Sequence, residues 1–276
     1  MTIDRNRVGR SFHRQAGHYD LHTSVQKRVV ERLLGLVAAH AANEPAEVLD
    51  IGCGTGRLLA ALHGQYPQMR LCGLDLAYNM TRCARERLGG EALLVNGDAE
   101  QLPFRGSAFD LVVSSSTLQW LDGLDLFFRQ CRRVMKENGL LCIAFFGGRT
   151  LRELRECYHD AAARLGRAGS GGYGNRLHRF QEADEVRAAL ERSGFGGGSF
   201  SCEIETDYYR DVPDLLRAIK CIGAGPAGQG DNPGGLGWRG VLNETSRLYR
   251  QRYGTDGMIP VTYEVFYIVE TFNGRY

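Results

Sequence analysis

The most informative stretch of this 276-residue chain is Val48-Leu49-Asp50-Ile51-Gly52-Cys53-Gly54-Thr55-Gly56. An apolar strand ends in an acidic residue, glycines follow at alternate positions, and a helix is predicted to begin at Thr55. Glycine allows a sharp turn and lets a ligand approach where a side chain would block it. A dinucleotide-binding turn would carry glycine at position 57, where this chain has Arg57. The motif therefore predicts a ligand site at the end of the first strand and disfavours a nicotinamide cofactor.

The apolar runs along the chain predict an α/β fold. Predicted strands are Glu47–Ile51, Met69–Asp75, Ala92–Asn96, Asp110–Ser114, Leu140–Phe146, Phe200–Tyr209 and Val261–Thr271. Predicted helices between and after them are Thr55–Gln65, Ala77–Leu88, Leu124–Lys136, Thr150–Leu165, Gln181–Glu191, Asp211–Ile222 and Trp238–Tyr253. Apolar strands that alternate with helices indicate a mostly parallel sheet covered on both faces. We expect one domain, with a helical N-terminal arm over residues 1–44, a ligand-binding core over 45–148 and a cap with the last two strands over 149–276.

Composition excludes several classes of protein. The chain has 34 Lys and Arg against 32 Asp and Glu, so its charge does not favour nucleic acid as a partner. Its longest apolar run, Leu140–Phe146, is too short to span a bilayer, and the polar N-terminus does not resemble a signal peptide. Eight cysteines are scattered without a CxxC pair or zinc-finger spacing. We therefore expect a cytoplasmic protein with reduced thiols and no metal site.

Two further acids stand at strand ends. Asp75 closes the second predicted strand, and Asp98-Ala99 follows the third. Together with the glycine spacing, these acids resemble the class I S-adenosylmethionine-dependent methyltransferases, whose fold is Rossmann-like with a seven-stranded sheet. The resemblance implies S-adenosyl-L-methionine as cofactor. It implies the following cofactor-binding residues: Asp50, Gly52, Gly54, Gly56, Asp75, Leu76, Asp98, Ala99 and Ser115.

The fourth predicted strand ends in small hydroxyl residues and leads into Gln119-Trp120. In this class of enzyme the loop lies over the transferred methyl group. No acid, histidine or cysteine stands at its tip to act as a base. The loop therefore offers no candidate general base.

Both ends of the chain carry more specific blocks. The stretch Phe12 to Gln26 resembles the signature F-x-x-x-A-x-x-Y-(D/E)…Q of small-molecule methyltransferases, in which this segment closes over the cofactor. Further blocks are His178-Arg179-Phe180, Lys220-Cys221-Ile222-Gly223-Ala224 and Pro260-Val261-Thr262-Tyr263. Together they resemble the malonyl-[acyl-carrier-protein] O-methyltransferase family of biotin biosynthesis over nearly the whole chain. Cys221 stands where that family is expected to have glycine.

This second resemblance implies a substrate and a partner. The substrate would be the free carboxylate of a malonyl thioester on an acidic acyl carrier protein. Tyr19, Trp120 and Tyr263 would form an apolar cage, and Arg179 or Arg176 would hold the carboxylate. Residues 1–32 contain seven basic side chains and three acidic ones, and Arg149, Arg152 and Arg155 follow the fifth strand. Such basic faces would steer an acidic carrier.

The same sequence features are compatible with other functions. A methyltransferase that acts on a quinone precursor or a small free acid would have the same fold and cofactor and would differ in the C-terminal cap. A non-catalytic protein could retain the fold, although such proteins usually lose the glycine loop, which is intact here. A nicotinamide oxidoreductase is disfavoured by Arg57 and by the lack of a catalytic His, Tyr-Lys or Cys constellation.

Overall fold

The computed structural model describes residues 4–41, 44–167, 179–222 and 236–272. Seven strands form one sheet in the order β3-β2-β1-β4-β5-β7-β6. The strands are β1 (Glu47–Ile51), β2 (Arg70–Asp75), β3 (Ala92–Asn96), β4 (Phe109–Ser115), β5 (Met135–Phe146), β6 (Ser199–Tyr209) and β7 (Ile259–Thr271). The first five pair in parallel, whereas β7 runs antiparallel between β5 and β6. The predicted fold class, a mostly parallel seven-stranded sheet, is confirmed.

Nine α-helices lie within the described ranges. They are α1 (Arg5–Gln15), α2 (Ser24–His40), α3 (Arg57–Gln65), α4 (Tyr78–Leu88), α5 (Leu124–Val134), α6 (Arg152–Arg164), α7 (Ala183–Arg192), α8 (Val212–Cys221) and α9 (Leu236–Tyr253). Two short 3₁₀ helices cover Tyr19–His22 and Leu118–Trp120. No helix in the described part of the chain is long and apolar enough to cross a membrane.

The sheet separates two apolar cores. In β1, Val48 packs into the core formed with α2, α3, α6 and α9, while Leu49 and Ile51 pack into the core formed with α5 and α7. Burial on both faces explains the continuous apolar runs in the sequence. The strand order reverses between β1 and β4, because the chain builds β2 and β3 on one side of β1 before it crosses to the other. Ligands of such sheets bind at the carboxyl ends of the strands that flank this reversal.

Two predicted helix boundaries were wrong for clear physical reasons. Helix α3 begins at Arg57 and not at Thr55, because Gly56 has a left-handed φ of 78° that no helical residue adopts. Strand β5 begins at Met135, so the helix predicted to reach Lys136 ends at Val134. The N-terminal arm is itself a helix, α1, in which Asp4 caps the amino end by accepting the Arg7 N–H.

The eight cysteines form no disulfide, and five of them are buried, which agrees with their predicted use as small core residues. Some sequence predictions lie outside the described residues. These are Arg176, His178, Gly223 and Ala224.

Candidate functional site

The glycine loop after β1 is tied to the end of β2. Backbone N–H groups of Gly52 and Cys53 donate to the Leu74 carbonyl at 2.7 and 3.0 Å. The Gly54 N–H donates to Asp75 Oδ2 at 2.9 Å, and the Ala77 N–H donates to Asp75 Oδ1 at 2.8 Å. One carboxylate therefore fixes the loop and the start of α4 together.

The three glycines of the loop have different surroundings. All have positive φ, at 74° for Gly52, 54° for Gly54 and 78° for Gly56. A Cβ at Gly56 would lie 2.9 Å from that of Ala84, so Gly56 lets α3 and α4 pack closely. A Cβ at Gly54 would meet nothing within 4 Å. Gly54 therefore borders open space, whereas Gly56 serves packing.

That open space is a cleft at the carboxyl edge of the sheet, which encloses about 710 Å³ when its open mouth is included. Residues predicted for the site that line it are Tyr19, Gly52, Gly54, Asp75, Leu76, Asp98, Ala99, Ser115 and Trp120. A smaller cleft of about 440 Å³ shares Tyr19, Gly52, Gly54 and Ser115 with it and is also lined by Asp50. Three residues of α1 also line the main cleft: Phe12, which begins the N-terminal signature, and Arg5 and Val8, which no sequence motif indicated. These three residues are spaced as on one face of a helix, but the charged residues between and around them hide this pattern in the sequence.

Two buried carboxyl groups have perturbed pKa values. Burial, reinforced by the nearby Asp75, raises the pKa of Asp50 to about 8. Burial raises the pKa of Asp75 to about 6, opposed by its hydrogen bonds from the Ala77 and Gly54 N–H groups. Asp50 Oδ1 is buried and accepts no hydrogen bond from any described residue. Because a buried polar atom without a partner is costly, this oxygen fits a donor from a ligand, most favourably a cation.

The loop after β4 places further polar atoms at the cleft. Ser116 has a left-handed φ of 58°, and its N–H donates to the Ala144 carbonyl at 2.8 Å. Its hydroxyl is buried without a partner among the described residues. Gln119 holds the turn, since its Nε2 donates to the Ser116 carbonyl at 2.8 Å. Among the described residues that line the main cleft there is no histidine or cysteine.

Aromatic rings form one wall of the cleft. Phe12 on α1 contacts Trp120 edge to face at 5.6 Å between ring centroids and Tyr19 at 6.2 Å. Burial raises the pKa of the Tyr19 hydroxyl, so this group stays protonated at neutral pH. The wall is apolar and carries no ionised group of its own.

Two residues expected near the substrate lie elsewhere. The Arg179 side chain is 73% exposed and forms an ion pair with Glu185 at the start of α7. Tyr263 on β7 packs against Phe146, and its hydroxyl lies 3.3 Å from that of Tyr209. Neither residue lines the two clefts described above.

Most of the arginines expected to form basic docking faces are already paired. On α2, Arg28 and Arg32 bind Glu205 and Glu203 of β6. The arginines after β5 are engaged as well: Arg149 lies 3.6 Å from Glu264, and Arg152 lies 3.2 Å from Glu153. Arg155 is half-buried and donates to the Gly148 carbonyl. The face after β5 is therefore a structural network and not a row of free cations.

The geometry agrees with comparisons to known proteins. The methyltransferase domain family matches residues 49–143. A malonyl-[acyl-carrier protein] O-methyltransferase of Geobacter sulfurreducens is 45% identical over 267 residues, 96% of this chain and 98% of that protein. The biotin biosynthesis bifunctional protein BioHC of Saccharophagus degradans is 34% identical over 95% of this chain and 46% of that protein.

A solved structure shares the fold at low identity. It is geranyl diphosphate C-methyltransferase from Streptomyces coelicolor, in complex with S-adenosyl-L-homocysteine. The TM-score is 0.52 at 14% identity, over 89% of this chain and 76% of that one. The sheet order, the glycine loop and the full-length similarity together show that the chain is a methyltransferase of the malonyl-[acyl-carrier protein] O-methyltransferase family.

Proposed function

We propose that this protein transfers the methyl group of S-adenosyl-L-methionine to the free carboxylate of malonyl-acyl carrier protein, in the malonyl methyl ester step of biotin synthesis. The observation that carries the proposal is the composition of the main cleft: strand-end acids and open glycine on one side, aromatic rings on the other, and no histidine or cysteine among its described lining. The names of the relatives at 45% and 34% identity support the same reaction.

Different residues would hold the amino-acid tail, the ribose and the adenine of the cofactor. Asp50 Oδ1 would accept from the ammonium of the amino-acid tail, and Gly54 leaves room for close approach. Asp75 has one lone pair left on each oxygen for the ribose hydroxyls, because each oxygen accepts only one backbone N–H. Asp98 and Ala99 would contact the adenine. When bound, S-adenosyl-L-methionine supplies an electrophilic methyl group on a positively charged sulfur.

The chain's contribution to methyl transfer would be positioning and exclusion of water. A carboxylate has an unperturbed pKa of about 4, so the substrate is an anion at neutral pH and needs no base. Phe12, Tyr19 and Trp120 would strip water from that anion and hold it in line. Arg179 remains the candidate to hold the carboxylate, and it would have to exchange Glu185 for the substrate.

A methyl-transfer assay with labelled S-adenosyl-L-methionine tests the function. Purified protein should label malonyl-acyl carrier protein, and the label should be released by mild alkali as expected for a methyl ester. Acetyl-acyl carrier protein is the matched control, because it lacks only the free carboxylate. Labelling of free malonate or of a quinone precursor in preference to the carrier would contradict the proposal.

Cofactor binding is expected to release a proton at pH 7. The pKa of Asp50 is about 8 in the ligand-free protein, so its carboxyl is largely protonated there, and a cationic tail favours the ionised form. Affinity for S-adenosylhomocysteine should therefore rise as the pH rises from 6 toward 8. Conversely, stability of the ligand-free fold should fall as the pH rises from about 4 toward 8, because the unfolded carboxyl gives up its proton first. Calorimetry in phosphate and Tris should show enthalpies that differ by the buffer's ionisation, and Asp50→Asn should abolish the difference. Equal enthalpies for the wild type would contradict the assignment.

Turnover at saturating cofactor is expected to be flat from about pH 6 to pH 8, because the substrate carboxylate is ionised throughout this range. The titration of Asp50 should appear in the KM for the cofactor and leave kcat unchanged. Initial rates at saturating concentrations of both substrates provide the measurement. A steep rise in kcat with a midpoint near 7 would reveal a titrating base.

The carrier would dock on the free cations of α1. Arg10 and Arg14 are exposed and have no ion-pair partner among the described residues. They stand on the helix whose inner side, through Val8 and Phe12, lines the cleft. An acidic carrier bound there would lie beside the site it must supply.

Reversing Arg10 and Arg14 to Glu should raise the KM for malonyl-acyl carrier protein several-fold and leave kcat nearly unchanged, because exposed charges act mainly on encounter. Turnover of malonyl-coenzyme A, which has no protein surface, should hardly change. Arg105→Glu is the control, since Arg105 is exposed before β4 at the opposite edge of the sheet. Equal losses on both substrates would show that these arginines shape the cleft itself.

A further inference from the structure

The first turn of α1 is anchored to the wall of the main cleft by one arginine. Arg5 Nη1 donates to Asp98 Oδ2 at 2.8 Å, and Arg5 Nη2 donates to Glu100 Oε2. Arg5 itself lines the cleft, on the side where Asp98 and Ala99 stand. The guanidinium therefore bridges a helix that covers the cleft and two carboxylates of its wall.

The surroundings of Glu100 favour a cation at one of its carboxylate oxygens. It is 3% exposed, and its Oε1 accepts the Gly123 N–H at 3.1 Å, so its other oxygen is the one that needs a charged partner. Its own N–H donates to Asp98 Oδ1 at 2.9 Å and orients that carboxylate. A buried carboxylate without a cation is strongly unfavourable, so the wall favours the position of α1 in which Arg5 is seated.

Asp98 retains acceptor capacity after this bonding. Each of its oxygens accepts one hydrogen bond, from Arg5 or from Glu100, and a carboxylate can accept about four. An amino group of a bound ligand can therefore share Asp98 with Arg5. With Arg5 bound to two carboxylates, α1 covers the end of the cleft at which Asp98 and Ala99 lie.

We infer that Arg5 is a cofactor-retaining latch, which holds the first turn of α1 against Asp98 and Glu100 beside the nucleoside and slows its escape. The inference rests on the proposed function, because it takes the ligand at Asp98 to be the adenosine of the cofactor. Arg5 acts only at the end of the cleft that holds the nucleoside. The 3₁₀ helix Tyr19–His22, which follows α1, is fixed by separate contacts. There Asp20 accepts from Arg87 and from the Thr55 hydroxyl at 3.1 Å.

The test compares Arg5→Met with Arg28→Met in the full-length protein. Arg28 is the matched control, because it also joins a helix to a carboxylate, Glu205, on a different part of the surface. Stopped-flow binding of S-adenosylhomocysteine should show dissociation about tenfold faster or more for Arg5→Met, with an unchanged association rate, as expected for loss of a charged bidentate contact. Arg28→Met should match the wild type. Arg5→Lys should recover part of the effect.

A fragment locates the effect within the cleft. Methylthioadenosine has the nucleoside but no amino-acid tail, so Arg5→Met should weaken its binding by the same factor. The double variant Arg5→Met/Glu100→Gln removes the unpaired buried charge, and it should regain thermal stability without regaining slow dissociation. A merely structural Arg5 would instead recover both properties together.

The outcomes separate the latch from the proposed function. Wild-type dissociation from Arg5→Met, or a loss confined to S-adenosylhomocysteine, overturns the latch and leaves the cofactor assignment standing. Failure of the wild type to bind either ligand overturns the cofactor assignment and the latch with it. Tight binding without transfer to malonyl-acyl carrier protein overturns the proposed substrate and leaves the latch in place.

Discussion

Gly54→Ala is expected to fold and to lose cofactor binding, whereas Gly52→Ala is expected to lose the fold around the site. A Cβ at Gly54 would meet no protein atom within 4 Å, and it would stand in the cleft that this residue lines. A left-handed alanine costs about 1–2 kcal/mol, which a domain of this size tolerates. Affinity for S-adenosylhomocysteine should fall by about a hundredfold or more, because the methyl group occupies the ligand's space.

The Gly52→Ala substitution is expected to be harmful for a different reason. Its Cβ would lie 2.0 Å from Thr117 Oγ1 and 2.6 Å from Thr117 Cγ2, so the loop after β4 would have to move. We expect a lower melting temperature in addition to lost binding. Thermal unfolding and calorimetry on both variants separate the two effects. A Gly54→Ala variant that binds with wild-type affinity would show that the ligand does not approach this backbone.

Asp75→Ala is expected to weaken cofactor binding by about ten- to a hundredfold, since a hydrogen bond to a charged group contributes about 1.5–3 kcal/mol. The loss has two sources. The carboxylate would no longer accept the ribose hydroxyls, and it would no longer hold the Gly54 and Ala77 N–H groups in place. The raised pKa of Asp75, about 6, shows that its charge is unfavourable in the fold, but the two N–H groups left without an acceptor should lower the melting temperature.

Titration calorimetry with S-adenosylhomocysteine measures the effect. Asp110→Ala is the matched control, because Asp110 also lies on a parallel strand but near its amino end, where it binds Lys136 and the Glu47 N–H. Unchanged affinity in a folded Asp75→Ala variant would contradict its place in the cofactor site. A loss of equal size in Asp110→Ala would indicate a general effect on the sheet.

The arginines that are already paired bear on where an acidic carrier could bind. Arg28 and Arg32 are neutralised by the acids of β6, more than 170 residues later in the chain. Arg155 is half-buried against the Gly148 carbonyl, so a charge reversal there would disturb the fold as well as any docking. The exposed pair Arg10 and Arg14 is therefore the sharper test of carrier recognition.

The sequence by itself determined the sheet and the position of the ligand site. The inner strands β1, β4, β5 and β7 were recognisable because a strand buried on both faces is apolar along most of its length. The edge strands β3 and β6 are half-buried or exposed along most of their length. The glycine loop and the acids at 75 and 98 were recognisable because parallel strands bring their carboxyl ends to one edge. These are consequences of local pattern, and local pattern is what a sequence shows directly.

The folded arrangement was needed to show which charges are free and how the first turn of α1 contacts the cleft. An arginine looks the same in the sequence whether it is solvated or paired, and its partner depends on elements that are distant along the chain. Arg5 meets Asp98 and Glu100 across more than 90 residues, and Arg179 turns to Glu185 and away from the cleft. The sequence predicted a helical arm whose segment from Phe12 onward closes over the cofactor, but the contribution of Arg5 and Val8 to the cleft depends on how α1 packs in the folded protein. Pairing and burial are properties of the folded arrangement, so side-chain roles that depend on them emerge only from it.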